Sequence, residues 1–185
     1  TFIVMTLEQL ARQGRRTASM TTAATISSKM NEIRKESIKQ AFCDFDNIKY
    51  RYEFVDTIEG VTYYDDSGAC SNEAAWFSFD NLRQEVIWIT YADNIDCDEL
   101  VPQVRKYVKS IICIGKETKR FHRIFDNVVN SEIIDCESVG EAVKMSRKIA
   151  EMGDNVLFSP AVPVRNDFES YSKRGDYFKK CVSDL

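Results

Sequence analysis

Short apolar runs alternate with stretches of helical periodicity through most of this chain. The run Val156-Leu157-Phe158 is bounded by Gly153 on one side and Ser159-Pro160 on the other, a pattern that predicts a strand buried on both faces. The runs predict five parallel strands, at positions 61–65, 86–90, 110–114, 132–134 and 155–158. Helical spacing follows each of them, so the alternation predicts a series of strand–helix units.

Two of the predicted helices have recognisable starts. Ser138 precedes an apolar face and Glu141 follows three residues later, which predicts a capping box, and Gly153 comes after the end of that helix. For the last helix we expect Asp167 to cap the N-terminus. Its apolar side is predicted to hold Phe168, Tyr171, Phe178 and Val182.

The first of these strands also belongs to a hairpin, because another β-prone stretch directly precedes it. Two β-prone stretches, at 52–58 and 61–64, are joined by Glu59-Gly60, a good signal for a tight hairpin turn. We therefore predict an α/β fold: a doubly wound, mostly parallel, six-stranded Rossmann-like sheet with one antiparallel strand and helices on both faces. In such a sheet, ligands bind beyond the carboxyl ends of the strands.

Composition narrows the class of protein. With 185 residues, of which 44% are hydrophobic, the chain can bury a sizeable core. A net charge of -4 with interspersed signs offers no basic stripe for nucleic acid. No apolar run approaches the roughly 20 residues that a membrane helix needs, and the first residues lack the charged start of a signal peptide. We expect a soluble, cytoplasmic protein that has no membrane span.

The cysteines and the histidine do not predict a metal site. Six cysteines occur without Cys-x-x-Cys spacing, and His122 is the only histidine, whereas a metal site needs such ligands clustered. We expect reduced thiols and no bound metal. Phe121, Ile124 and Phe125 flank His122, so packing at the surface or at the edge of the core is a simpler interpretation than catalysis.

Polar residues follow the first predicted parallel strand. Positions 65–72 read Asp-Asp-Ser-Gly-Ala-Cys-Ser-Asn, and the carboxylates, small residues and helix start suit an anion or a ribose. A strand-to-helix turn with a capping serine explains the same residues more simply. Gly115-Lys116, after the third strand, is similarly either an ordinary turn or a phosphate contact.

The end of the chain resembles a known family. A strand ending in Leu-Phe-Ser-Pro-Ala at 157–161 leads through a loop to Arg-Gly-x-x-Phe at 174–178. These motifs resemble the C-terminal end of the Mur ligases, most closely the D-glutamate-adding MurD type. That family has Ser-Pro-Ala-Cys-Ala-Ser-Phe-Asp-x-Phe, whereas positions 162–168 here read Val-Pro-Val-Arg-Asn-Asp-Phe. The initial Ser-Pro-Ala and the final Phe match the family motif, whereas the polar residues between them do not. The family's C-terminal domain also has six strands, five of them parallel.

The resemblance assigns individual residues. Where the family has Asp-Ser-Lys-Ala-Thr-Asn, this chain has Gly68 in place of the lysine and Cys70 in place of the threonine. Arg51 keeps the arginine of a His-Arg-x-Glu motif. The resemblance implies nucleotide binding by Arg51 and Asp66, no metal ligand and no confidently retained catalytic residue. The candidates that it implies for the substrate loop are Ser67, Cys70, Ser159, Arg165 and Tyr171.

The first 46 residues resemble the tail end of the family's central, ATP-binding domain. Positions 14–17 read Gly-Arg-Arg-Thr where the family has Gly-Lys/Arg-His-Asn. We expect residues 1–46 to be this tail with a linker, and residues 47–185 to be the C-terminal domain. The chain contains no Gly-x-x-x-x-Gly-Lys-Ser/Thr sequence that could cradle a triphosphate.

The resemblance implies a C-terminal, substrate- and nucleotide-contacting domain of an ATP-dependent amino-acid ligase of peptidoglycan synthesis. It implies ATP and magnesium as cofactors, a UDP-sugar peptide and an acidic amino acid as substrates, and N-terminal and central domains of the same protein as partners. Because catalytic-site positions are substituted, we expect this chain alone to be inactive and to bind no cofactor tightly. The alternative is a catalytically inactive paralogue that serves as a binding or regulatory module.

Overall fold

A computed structural model describes residues 49–82, 84–93, 97–116, 118–164 and 167–185. The chain divides into two units, Thr1–Asp46 and Asn47–Leu185, and the described residues all lie in the second. The predictions for residues 1–46 fall outside the described residues, as do positions 94–96 and Arg165.

The described residues form one mixed sheet. Its strands are β1 (Glu53–Ile58), β2 (Val61–Asp65), β3 (Val86–Tyr91), β4 (Val108–Ile114), β5 (Ile133–Cys136) and β6 (Asn155–Phe158). They lie in the order β1-β2-β6-β3-β4-β5, with β1 antiparallel to β2 and every other neighbouring pair parallel. The predicted six-stranded, mostly parallel sheet with one antiparallel strand is confirmed.

Helices cover both faces of the sheet. They are α1 (Asn72–Leu82), α2 (Val101–Tyr107), α3 (Lys119–Phe125), α4 (Val139–Ile149) and α5 (Tyr171–Ser183), with a short 3-10 helix, Cys97–Leu100, before α2. The first three helices pack on the face that holds Trp88. The last two pack on the other face, where the rings of Phe158 and Phe178 stack with centroids 4.7 Å apart. Burial of each such large apolar side chain contributes about 1.5–3 kcal/mol.

Local signals act at the ends of several elements. The Ser138 hydroxyl accepts a hydrogen bond from the Glu141 amide at 3.2 Å, and the Glu141 carboxylate accepts one from the Glu137 amide at 2.7 Å. The predicted capping box therefore forms, with its return bond one residue earlier than the usual arrangement. Glu59 and Gly60 both have positive φ, 48° and 83°, as a tight hairpin turn between twisted strands requires.

Some predicted boundaries are wrong. Asp167 does not cap the last helix, because Ser170 stands directly before α5 and its hydroxyl accepts a hydrogen bond from the Lys173 amide at 3.2 Å. Tyr171, predicted on the apolar side of this helix, is 48% exposed. The observed β4 starts two residues before the predicted one, and β5 runs over 133–136 instead of 132–134. Pairing with the neighbouring strands, which apolar runs do not encode, decides these limits.

None of the described cysteines, at 70, 97, 113, 136 and 181, takes part in a disulfide. Burial raises the pKa of the Cys136 thiol to about 11. No helix in the described part of the chain is both long enough and apolar enough to cross a membrane.

Candidate functional site

At β2 and β6, neighbouring strands send their connections to opposite faces of the sheet, an arrangement that leaves a crevice in open α/β folds. β2 leads to α1 on one face, whereas its neighbour β6 leads to α5 on the other. β6 also pairs with β3, whose chain continues on the α1 side. Ligands of open α/β sheets bind at such a point, beyond the carboxyl ends of the strands. The loops after β2, β3 and β6 therefore define the candidate site.

Asp66, directly after β2, is enclosed at this point. The hydroxyls of Ser78 and Ser159 donate hydrogen bonds to its Oδ2 at 2.5 and 2.8 Å, and Nε of Arg51 lies 3.7 Å from its Oδ1. Burial raises the pKa of Asp66 to about 6, although Arg51 and the two hydroxyls act in the opposite direction. Because Asp66 is 0% exposed, its carboxylate holds Arg51 and the β6 loop in place and does not face solvent.

Arg51 covers Asp66 and keeps 20% of its side chain exposed. It lies between Tyr50 and Tyr52, which both have positive φ, 67° and 50°. The Tyr50 carbonyl accepts a hydrogen bond from the Gly68 amide at 2.8 Å. A Cβ on Gly68 would lie 2.8 Å from both this carbonyl oxygen and Cδ of Arg51. Position 68 therefore requires glycine, and a lysine there would displace the backbone that carries Arg51.

Arg174, on α5, connects the loops after β2 and β6 and is 1% exposed. Its guanidinium donates hydrogen bonds to the carbonyl oxygen of Ser67 at 2.7 Å and to that of Val162 at 3.5 Å. It also donates to the Cys70 sulfur at 3.7 Å and lies 5.8 Å from the centroid of the Tyr91 ring. Burial lowers the pKa of Arg174. Two substrate-loop candidates, Ser67 and Cys70, are thus gathered around one buried cation.

The periodicity of α5 in the sequence also indicates that Arg174 is buried, and this signal is independent of the family motif. Arg174 is spaced three residues after Tyr171, four before Phe178 and eight before Val182, so it lies on the apolar stripe of α5. A charge on the stripe that faces the sheet indicates a buried, hydrogen-bonded group.

The loop after β6 is fixed by hydrogen bonds from β3. The Trp88 indole donates to the Ser159 carbonyl at 2.7 Å, and the Thr90 hydroxyl donates to the Pro160 carbonyl at 3.1 Å. Ala161 has φ 57°, a strained value for a residue with a side chain. Such strain persists where the surroundings fix the conformation, so this loop is preorganised. The Ser159 hydroxyl itself is engaged by Asp66.

Helix α5 reaches the same region from the other face. Tyr171 contacts the ring of Tyr50 edge-on, with centroids 5.9 Å apart. Lys179 donates a hydrogen bond to Glu53 at 2.6 Å, and its Nζ lies 3.6 Å from Oδ2 of the buried Asp65. Burial raises the pKa of Asp65. No sequence pattern links Lys179 to these carboxylates, because the partners are far apart along the chain.

Two other candidates lie away from this crevice, after β4. Gly115 has φ 140° and forms a turn whose amide donates to the Cys136 carbonyl at 3.0 Å. His122 lies on α3 between two carboxylates, with Nδ1 2.9 Å from Asp126 and Nε2 3.0 Å from Asp135. These groups flank the imidazole on opposite sides and do not converge on one point. Across the described residues, no cluster of three or more histidine, cysteine or carboxylate side chains could hold a metal ion.

This chain is similar in sequence to known ligases. No family model matches it. It is 34% identical, over its whole length, to the UDP-N-acetylmuramoylalanine–D-glutamate ligase of Christiangramia forsetii, of which it covers 42%. It is also 34% identical over 98% of its length to the enzyme of that name from Porphyromonas gingivalis, of which it covers 41%. The chain thus spans about two fifths of the length of these curated relatives.

A solved structure shows the same fold. The MurF ligase of Thermotoga maritima, solved in complex with ADP, matches 76% of this chain and 33% of its own, with a TM-score of 0.51 and 16% identity. The sequence relatives together with the fold therefore define a C-terminal domain of the Mur ligase type. The chain belongs to the Mur ligase family, and its relatives of MurD type match it through their C-terminal part.

Proposed function

We propose that this chain is the C-terminal, substrate- and nucleotide-contacting domain of a MurD-like, ATP-dependent amino-acid ligase of peptidoglycan synthesis. The observation that carries the proposal is the placement of Arg51 at the crevice, beside a buried carboxylate and partly open to solvent. A guanidinium in this position can hydrogen-bond the ribose or a phosphate of a nucleotide. The buried carboxylate of Asp66 orients this guanidinium from the interior side.

In such a ligase, a carboxylate would be activated by the γ-phosphoryl group of ATP with release of ADP, and the amine of the amino acid would then displace phosphate to form the amide. The residues of this chain would take part by positioning. Arg51 would hold the nucleotide, and the preorganised loop after β6 would offer fixed backbone groups to the incoming amino acid. The N-terminal and central domains of the same protein would supply the groups that cradle the triphosphate.

A phosphate-release assay tests this proposal on the intact protein, with every domain that its gene encodes. The substrates are ATP with Mg²⁺, UDP-N-acetylmuramoyl-L-alanine and D-glutamate. We expect release that depends on all of them and falls about tenfold or more in Arg51→Ala. Arg147→Ala is the matched control, since Arg147 pairs with Glu59 at the hairpin turn, and it should leave the rate unchanged. A rate equal in wild type and Arg51→Ala would contradict the nucleotide role.

A second candidate function has its own observation. The close approach of Gly68 to the Tyr50 carbonyl excludes the lysine that the family has at this position. Loss of a preorganised cation near a reacting phosphate lowers rates by orders of magnitude. This favours a catalytically inactive Mur-like paralogue that serves as a binding or regulatory module. The same assay separates the two functions, because an inactive module would bind nucleotide without releasing phosphate.

A further inference from the structure

Tyr50 is held from three directions. Its amide donates a hydrogen bond to Glu53 of β1 at 2.8 Å, and its carbonyl accepts one from Gly68 of the loop after β2 at 2.8 Å. Its hydroxyl donates to Asp176 of α5 at 2.9 Å. The Nζ of Lys179, also on α5, lies 4.2 Å from the centroid of its ring. Both backbone polar groups and the phenol of Tyr50 are therefore occupied.

These contacts explain an unfavourable backbone. Tyr50 has φ 67°, a left-handed conformation that is uncommon for a bulky side chain. It persists because elements that are distant in sequence fix it together. Space around the ring is equally restricted, since a Cβ on Gly175 would lie 2.6 Å from Cδ1 of Tyr50. The added Cβ would lie closer still to Oγ of Ser67 and Oδ2 of Asp65, so α5 needs glycine at position 175 to pack against both Tyr50 and the end of β2.

The conformation of Tyr50 determines where Arg51 points. The next residue leaves the left-handed turn with its guanidinium over Asp66, 3.7 Å between Nε and Oδ1. If Tyr50 relaxed to the usual negative φ, the direction of the Arg51 side chain would change. α5 also carries Tyr171, a substrate-loop candidate, whose ring meets that of Tyr50. Tyr50 therefore lies between the proposed nucleotide contact and the helix that follows the substrate loop.

We propose that Tyr50 is a positioning residue for nucleotide binding: clamped by α5, it holds Arg51 in the orientation that binds nucleotide. This inference rests on the proposed function, since it needs Arg51 to contact nucleotide. It assigns to α5 a part in nucleotide affinity, although no residue of α5 need touch the nucleotide.

The test is titration of the intact protein with ADP and Mg²⁺ by calorimetry. We expect Tyr50→Ala to weaken ADP binding about tenfold, because the contacts of the ring and the hydroxyl with α5 are lost. Tyr50→Phe keeps the ring and loses only the hydrogen bond of the hydroxyl, so it should weaken ADP binding about threefold. Asp176→Ala removes the same hydrogen bond from the exposed side of α5. It should match Tyr50→Phe, and the double variant should be no weaker than either single one.

A double-mutant cycle shows whether Tyr50 acts through Arg51. In an Arg51→Ala background, Tyr50→Ala should have no further effect on ADP affinity, an outcome that a general loss of structure would not produce. Tyr177→Ala is the matched control, because Tyr177 is 42% exposed on α5 and its ring contacts Phe168. We expect it to bind ADP within about twofold of wild type.

The possible failures are distinguishable. Wild-type protein that binds no ADP would overturn the proposed function, and the inference with it. If wild type binds and Arg51→Ala weakens binding, the nucleotide role of Arg51 stands. The inference then fails if Tyr50→Ala and Asp176→Ala bind like wild type, or if the effect of Tyr50→Ala persists undiminished without Arg51. If Tyr50→Ala does not fold, Tyr50→Phe and Asp176→Ala still decide, since the Asp176 side chain lies outside the core. Both should weaken ADP binding about threefold, and binding by both within the twofold range of the Tyr177→Ala control would overturn the inference.

Discussion

Two groups of charged residues lie near the carboxyl ends of the strands, and they differ in burial. At β2 and β6, Asp66 and Arg174 are 0% and 1% exposed. At β4 and β5, the His122 group keeps 29% of the His122 side chain and 46% of the Asp135 side chain in solvent. Water therefore screens the second group, whereas the first depends on protein hydrogen bonds alone. Similar residue types at one edge of the sheet can thus differ several-fold in their energetic importance.

The largest effect on the free energy of unfolding should appear when Arg174, the buried cation, is removed. We expect Arg174→Ala to lower the free energy of unfolding by about 3 kcal/mol or more, because it opens a cavity and leaves the Ser67 and Val162 carbonyls without their donor. Lys173→Ala, one residue earlier and exposed, should change it by less than about 0.5 kcal/mol. Urea unfolding followed by fluorescence measures both. Equal effects in the two variants would show that burial at position 174 carries no special energetic weight.

A smaller effect should appear as a pH dependence of the free energy of unfolding, and it should originate at Asp66. Its pKa rises from an ordinary value near 3.8 to about 6 in the folded protein, so the folded state binds more protons between these values. The stability linked to this group is fully present below about pH 4 and is lost as the pH rises through about 6. Over this window the difference is at most on the order of 3 kcal/mol.

The measurement is urea unfolding of wild type and Asp66→Asn at several pH values between 4 and 7. Asp65, whose pKa burial also raises, contributes to both proteins, so the difference between their slopes isolates Asp66. We expect a flatter profile for Asp66→Asn. Parallel profiles would mean that Asp66 titrates normally in the folded state.

The smallest effect on stability should come from the exposed group around His122. Hydrogen bonds to Asp135 and Asp126 raise the pKa of His122, although partial burial opposes them. A raised folded-state pKa means that its stabilising contribution is present below about pH 6.5 and is lost as the pH rises through the folded value. Because the three side chains are solvated, we expect at most about 1 kcal/mol. His122→Gln should remove this dependence, whereas a dependence as large as that of Asp66 would refute the comparison between the two groups.

The fold could be predicted from the sequence to a large extent. The predicted strands 61–65 and 155–158 match the observed ones to the residue. In the second, Val156, Leu157 and Phe158 are apolar because the strand is buried on both faces there. The capping signal at Ser138 acts within one turn of helix and needs no tertiary partner. At the last helix, two residues with suitable side chains compete for the cap, and the path of the loop selects Ser170 over Asp167.

The site could be predicted only in part. Arg51, Asp66, Ser67, Cys70 and Ser159 were chosen by resemblance, and the structure gathers them around the crevice. Their accessibility could not be predicted, since it depends on Ser78, Arg174 and other residues that pack over them from different elements. The left-handed backbone at Tyr50 had no local signal either, because tyrosine itself disfavours it.

By itself, the sequence determined the order of strands and helices, the antiparallel start and the apolar faces, since these follow from periodicity and from turn residues that act locally. The tertiary structure decided that β6 lies between β2 and β3, and therefore which loops meet. It also decided that Asp66 is enclosed while Arg51 stays partly open. Both depend on contacts between residues far apart in the chain, whose free energies appear only when the whole sheet and its two layers of helices have assembled.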